Sequence, residues 1–401
     1  MKFRDYRNLL QVTSTACGGH AAWRRESGGS EMKSCSHLFK KTMRSTALLV
    51  FLLSALTAFA QSPTESPSDQ QLPSVTPGEP KELNGVPILT GYSAFNSSFT
   101  KGQQELEPVI APILLVPLGQ KVLIEAEGEF SGSYTHATGE PWDHSWDKGL
   151  EYAQINWFAH RYLTVVGGRY LTPFGILNER LHPAWIKNIQ TLPLISALEM
   201  SSGNGGELRG GIPLSSKVDF NYSAYFSAPS QVTGLVASRM AGTRFSVFMP
   251  GARVEIGTSF QRSLQDERFN TYGMDWTWQL KPIPLEIRGE YAGNNVQGKG
   301  YWLEGAYRLR RIHKRFVRNS QAVVRMEQFF TPSSSDLGGG GMGDVPDVNT
   351  QRLFAGWNYY INDGFKVSAA YGRQFSSDGD RNLWTLGITY RWIIPFGGRG
   401  K

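Results

Sequence analysis

From Ile88 to Ile393 the chain alternates apolar and polar residues in runs of 10 to 13, a period of two that reads as β-strand. The last run shows it best. Trp384, Leu386, Ile388, Tyr390 and Trp392 fall on one face, with Leu383, Thr385, Gly387, Thr389 and Arg391 on the other. The first face is aliphatic in the middle and aromatic at both ends, as in a strand that crosses lipid between two interfacial belts. Leu353, Ala355, Trp357, Tyr359 and Ile361 repeat the pattern against Arg352, Gly356 and Asn358. So do Val254, Ile256, Thr258 and Phe260, and Tyr301, Leu303, Tyr307 and Leu309. Soluble strands are usually about 5 or 6 residues long, whereas a tilted strand needs roughly 9 to 11 to cross a membrane. The pattern predicts an all-β fold, a transmembrane antiparallel barrel of about sixteen strands.

Connections alternate in length. Pro117–Gln120, Ala159–Arg161, Ser215–Ser216, Pro250–Gly251, Lys281–Pro284, Ile312–Arg315 and Asn362–Gly364 are short and turn-forming, and each follows an even-numbered strand. Longer segments follow odd-numbered strands: Ser133–Trp146, Leu171–Asn204, Pro229–Ala237 and Thr331–Asn349. Short turns at the periplasmic side and longer loops outside are the habit of such barrels. The longest connection, Leu171–Asn204, lies between the fifth and sixth strands, and is expected to fold inward and narrow the lumen.

The N-terminal region is of another kind. Lys40, Lys41 and Arg44 precede an apolar run of about 13 residues, Ala47 to Phe59, and then Ala58-Phe59-Ala60. This reads as a secretory signal cleaved before Gln61, too short for a membrane helix of roughly 20 residues. Residues 1–31 read as an overlong start, with Met32 or Met43 as the initiator. Residues 61–85 are rich in Pro, Ser, Gln and Glu and read as a flexible periplasmic tail; residues 86–401 form the expected barrel.

Charge then needs correcting for this leader. The whole chain has 41 Lys and Arg against 34 Asp and Glu. Residues 1–60 hold 9 and 3 of these, leaving 32 against 31, so nucleic acid is not implied as a partner. Both cysteines, Cys17 and Cys35, lie in the leader, and no disulfide framework is available to the body.

Inward-facing candidates are numerous. Arg169, Arg209, Arg253, Arg288, Arg308 and Arg325 are read as lumen wall, with Glu125, Glu127 and Glu129 together on the third strand. Opposed acidic and basic walls would set a transverse field on solutes; neighbouring strands would otherwise neutralise each other by ion pairing. Within the long loop, Glu179, Arg180, His182 and Lys187 are candidates for the pore constriction. Arg180, His182 and Lys187 offer anion contacts, while a Glu179–Arg180 pair would pin the loop to the wall. Trp185 reads as wall packing before it reads as a sugar platform.

The loop itself begins Gly168-Arg169-Tyr170-Leu171-Thr172-Pro173-Phe174-Gly175 and continues Ile176-Leu177-Asn178-Glu179-Arg180. Its Gly-Arg, Pro-Phe-Gly and Asn-Glu-Arg elements, leaving a strand in this way, resemble the porin superfamily, in particular the phosphate-selective porins O and P. The resemblance covers most of residues 88–396, mainly as architecture. It implies a sixteen-stranded passive channel in the cell outer membrane, often a homotrimer, surrounded by outer-membrane lipid and inserted by the barrel assembly machinery. Phosphate porins line the throat with many Arg and Lys, whereas this loop carries Arg180 and Lys187 beside Glu179. An aromatic residue near the C-terminus, Trp392 or Phe396, would serve as the assembly signal.

Enzyme chemistry is not indicated. No Gly-x-Ser-x-Gly or His-Glu-x-x-His element occurs, and Gly338–Gly341 has no Gly-Lys-Ser/Thr after it. His136, His144, His160 and His313 are scattered. Neither a metal nor an organic cofactor is expected. The sequence therefore reads as a channel for small polar or charged solutes, anions among them. The alternative is a non-conducting barrel acting through its outer loops as an adhesin or structural protein.

Overall fold

In the computed structural model, residues 86–265, 268–280, 282–312, 314–332 and 345–395 are described. The expected signal peptide, the Pro-rich tail, the Gly338–Gly341 run and Phe396 lie outside these residues.

Sixteen strands form one closed barrel in which every neighbour is antiparallel. They are β1 (Ile88–Thr100), β2 (Gln103–Leu118), β3 (Val122–Ala137), β4 (Asp143–His160), β5 (Leu163–Leu171), β6 (Ser202–Ser215), β7 (Val218–Ala228) and β8 (Met240–Met249). Then come β9 (Val254–Ser263), β10 (Asn270–Leu280), β11 (Leu285–Asn294), β12 (Gly298–Arg308), β13 (Ser320–Phe330), β14 (Thr350–Tyr360), β15 (Phe365–Ser376) and β16 (Arg381–Pro395). Closure joins β1 to β16 in register from Ile88↔Pro395 to Phe99↔Trp384, so no sheet edge is left unpaired. That closure is what lets backbone N–H and C=O groups enter hydrocarbon without water. No helix among the described residues is long and apolar enough to cross a membrane.

The barrel is inverted relative to a soluble core. Phe95, Ile110, Trp157, Leu208, Phe226, Trp384, Leu386 and Ile388 are exposed on its outside, while Glu127, Asp275, Arg288, Glu304, Arg325 and Lys366 are buried inside. Strand alternation produces both faces at once. On β16 the outward set is the one read from the sequence.

Turn positions agree with the pattern at one end of the barrel, with one extension. The connection after β12 runs over residues 309–319 and contains a short helix, α3, at Arg315–Arg318; the two before it in the chain, α1 (Leu177–Arg180) and α2 (Ser196–Glu199), sit in the long loop. The expected loop Ser133–Trp146 is corrected. There β3 and β4 continue to Ala137 and from Asp143, leaving only residues 138–142 as a turn. Aromatic cross-strand contacts explain the extension: Tyr134 stacks on His144 at 6.0 Å and meets Trp146 edge-on at 6.1 Å.

Candidate pore constriction

Residues 172–201 leave β5, cross the lumen and return to β6. Their apolar side chains meet the inner wall in three places. Phe174, Ile176, Leu177, Leu181, Leu194, Ile195 and Leu198 bury themselves against Ala292, Trp302 and Phe329 on β11, β12 and β13. Ile189 packs on Ala306, Val323, Phe354 and Ala370. Ala184 packs on Tyr92, Ala94 and Ala111 of β1 and β2, and the half-buried Trp185 joins it. Trp185 meets Tyr92 edge-on at 5.1 Å, as wall packing requires.

Between these patches, wall side chains hold the loop by its backbone. Glu290 on β11 accepts from Ile176 N at 3.1 Å, and Ser259 on β9 accepts from Gly175 N at 2.9 Å. Glu327 on β13 accepts from Leu194 N at 2.6 Å, and Asn358 on β14 donates to Asn188 O at 3.0 Å, while Glu304 accepts from the Asn188 side-chain amide at 2.8 Å. Lys366 on β15 donates to the carbonyls of Lys187, Trp185 and Ala184 at 2.5, 3.1 and 3.4 Å. Charge-assisted bonds of this kind are roughly twice as strong as neutral ones. Gly175 is required at the entry. Its φ is +62°, and a Cβ there would collide with the Glu290 carboxylate.

The loop's charged residues find wall partners. Glu179 and Arg180 do not pair with each other. Glu179 accepts from Arg209 on β6 at 2.7 Å, and Arg180 donates to Glu255 on β9 at 2.6 Å. Pinning is achieved with two separate partners. His182 lies buried with its Nε2 3.6 Å from Glu127 Oε1 on β3. Lys187 is half-buried, and burial pulls its ammonium below the usual lysine range against the opposing pull of Glu129 and Glu107.

On the wall, Arg288 pairs with Glu304 at 2.8 Å and Arg325 with Glu327 at 3.2 Å. Arg308 is inward at the end of β12 and lies over the Tyr360 ring at 3.6 Å. Glu125 accepts from Gln154 at 3.0 Å, and Glu129 from Tyr92 at 3.2 Å. Glu125, Glu127 and Glu129 therefore share the inner face of β3.

Two wall assignments are corrected. Arg253 precedes β9 in an exposed turn, with φ +52°, because Pro250 to Ala252 already leave the wall. Arg169 registers with Ala153 and Asn204, on the outer face shared with Val165 and Ile155. It is tolerated there near the rim because Leu150 O and Val236 O accept its guanidinium at 2.6 and 3.2 Å. Its neighbour Val166 registers with Glu207 and faces inward.

Sequence reading missed Lys366, which reaches three loop carbonyls, although it sits at the inward parity of β15 with Ser368 and Ala370. It also missed Glu105, Glu107, Glu151 and Glu199. Glu151 escapes a parity argument because a register shift lies beside it, where Glu127 and Gly128 pair with Tyr152 and Leu150. At the long-loop end the lumen opens into a cavity of about 720 Å³, whose lining includes Glu105, Glu107, Thr191, Arg352 and Arg381.

No family model and no curated protein matches the chain. Solved structures do. Salmonella typhi OmpF, in a complex with daunomycin, superposes with a TM-score of 0.52 at 14% identity, over 78% of this chain and 100% of that one. An anion-selective porin from Comamonas acidovorans superposes with a TM-score of 0.50 at 8% identity, over 76% and 99%. At such identities the likeness is one of fold, and the fold is that of general bacterial porins.

Proposed function

We propose that the chain is a passive diffusion channel of an outer membrane, with the loop of residues 172–201 as its constriction. One observation carries the reading: the loop reaches β3 through His182, β1 through Trp185, β13 through Leu194 and β15 through Lys187, and so spans the bore. An adhesin needs no such internal strut, because its work is done on the outer surface. Small polar and charged solutes pass beside the loop along a wall rich in carboxylates and arginines, which replace part of their hydration. Binding of solute needs no cofactor, and none of the wall chemistry is arranged for bond breaking. The anion specificity entertained from Arg180 and Lys187 loses support, since both are engaged by carboxylates or by burial. A homotrimer, as in the resembling family, is compatible with the apolar outside but rests on the resemblance alone.

The experiment is planar-bilayer recording from the refolded protein. Steady ion-conducting steps are expected, and removal of residues 178–199 is expected to enlarge each step several-fold. A folded, membrane-inserted protein that passes no current would overturn the channel in favour of a surface-acting barrel. Equal steps with and without the loop would remove the constriction while leaving the channel.

A further inference from the structure

We infer that the channel prefers small cations, and that they travel along a ladder of carboxylates on β2, β3 and β4. The inference rests on the channel reading above and deepens it. Glu105 and Glu107 stand on β2 beside the mouth cavity. Glu129, Glu127 and Glu125 follow down β3, where Glu127 and Glu125 register with Ile113 and Leu115 further along β2. Glu151 adds a sixth carboxylate from β4, on the side where a Cβ at Gly149 would approach its Oε1 at 3.2 Å. Alternate residues of a strand are about 7 Å apart, so the ladder steps from the outer mouth toward the turn end at that interval. This is shorter than the Debye length of about 8–10 Å at ordinary ionic strength, so successive carboxylates act as one continuous negative strip.

Charge balance around the bore decides the sign. On the far wall three arginines are matched, Arg244 with Asp275 at 2.6 Å, Arg288 with Glu304 and Arg325 with Glu327, while Arg308 lies over the Tyr360 ring, Arg352 donates to Gln374 and Lys366 is taken up by loop carbonyls. Arg209 and Arg180 are matched by Glu179 and Glu255. On the ladder, the one ion pair among the described residues is His182 with Glu127 at 3.6 Å. Its other contacts come from neutral donors, Ser98 to Glu105, Tyr92 to Glu129 and Gln154 to Glu125, which orient the carboxylates without cancelling them. Two cations among the described residues act on the strip, Lys187 on several of its carboxylates and Arg169 on Glu151, against six carboxylates.

A second observation points to what the strip takes. The His182 side chain is 9% exposed and aimed into the ladder, yet neither ring nitrogen has a hydrogen-bond partner, and nor does Glu127 Oε1. Buried polar atoms are normally satisfied. An N–H-bearing cation in transit, an ammonium or a guanidinium, supplies a donor to the buried Glu127 Oε1, the atom of the two that accepts in every protonation state. A fixed metal is a poorer match, since no group of three or more His, Cys, Asp or Glu among the described residues is placed to hold one.

Selectivity is tested in planar bilayers under a tenfold KCl gradient at low salt. The wild-type reversal potential is expected to show potassium passing several-fold more readily than chloride, with the preference shrinking in about 1 M salt as the strip is screened. Replacing KCl by arginine hydrochloride is expected to leave a measurable inward cation current. The variant Glu105→Gln/Glu107→Gln, at the half-buried mouth where folding is least at risk, is expected to lower the cation preference at least twofold. The deeper Glu127→Gln/Glu129→Gln is expected to lower it further, and Arg253→Gln, in the exposed turn, to leave it unchanged. Chloride preference or no preference in the wild type overturns the inference and spares the channel. An unchanged ratio in both glutamine variants also overturns it. Absence of any current from the wild type removes the channel reading and this inference together.

Discussion

Lys366 shows how a single side chain positions a thirty-residue loop. Its ammonium is buried and reaches three loop carbonyls, at Ala184, Trp185 and Lys187. A hydrogen bond to a charged group contributes about 1.5–3 kcal/mol, and a carbonyl left without a donor in a buried site costs a comparable amount. Lys366→Met is therefore expected to loosen the middle of the loop. Single-channel recording should show larger and noisier steps, while the barrel's melting temperature stays near the wild-type value. Quiet steps of unchanged size would show that the apolar contacts suffice. Glu199 on α2 works in the opposite sense. Burial, then the neighbouring Glu290 and Asp275, hold its carboxyl well above the usual carboxylate range. The docked loop therefore keeps a proton that a released loop gives up above pH about 4.5. Docking is strongest at acid pH and weakens as pH rises through the raised value. Flicker in the current is expected to grow as pH rises above the usual carboxylate range, and Glu199→Gln, neutral throughout, is expected to abolish that growth.

At the scale of elements, the long loop is a folded object in its own right. Three apolar patches and five backbone anchors from the wall replace the hydrogen bonds that a free loop would make to water. Entry depends on Gly175, where the chain needs a left-handed φ and where Glu290 occupies the space of a Cβ. Gly175→Ala combines backbone strain of about 1 kcal/mol or more with a collision that displaces the carboxylate. It is expected to reproduce the enlarged steps of the loop deletion, and a normal step size in that variant would contradict this account of the anchor. The β3–β4 hairpin makes the complementary point. Its aromatic residues alternate and stack across the strands, so a stretch with loop-like composition continues as sheet.

For the whole molecule, the inversion of polarity places tryptophans in two environments. Trp157, Trp278, Trp357 and Trp384 are exposed on the outside, and Trp302 is fully buried within. Brominated lipid tails are expected to quench the fluorescence of the reconstituted protein. Trp384→Phe is expected to reduce the quenchable fraction, and Trp302→Phe to reduce only the unquenchable part. Equal effects of the two changes would contradict the assignment of faces. The closed ring of strands forms the wall on which the loop packs.

The strand count, the outward apolar faces and the place of the long loop were determined by the sequence alone. All three follow from local rules: side chains alternate along a strand, and turns declare themselves by their residues. Glu151 and Arg253 mark where such rules fail, because a bulge beside Glu151 and a turn ahead of β9 change which face a residue occupies without changing its chemistry. Only the tertiary structure decided what holds the loop and how the lumen is charged. Lys366, Asn358, Glu327 and Glu290 act on loop backbone more than a hundred residues away, and backbone atoms carry no sequence signal. Which arginines are neutralised likewise depends on register between strands. That register pairs Arg244, Arg288 and Arg325 with carboxylates on one wall and gathers Glu125, Glu127 and Glu129 on the inner face of β3.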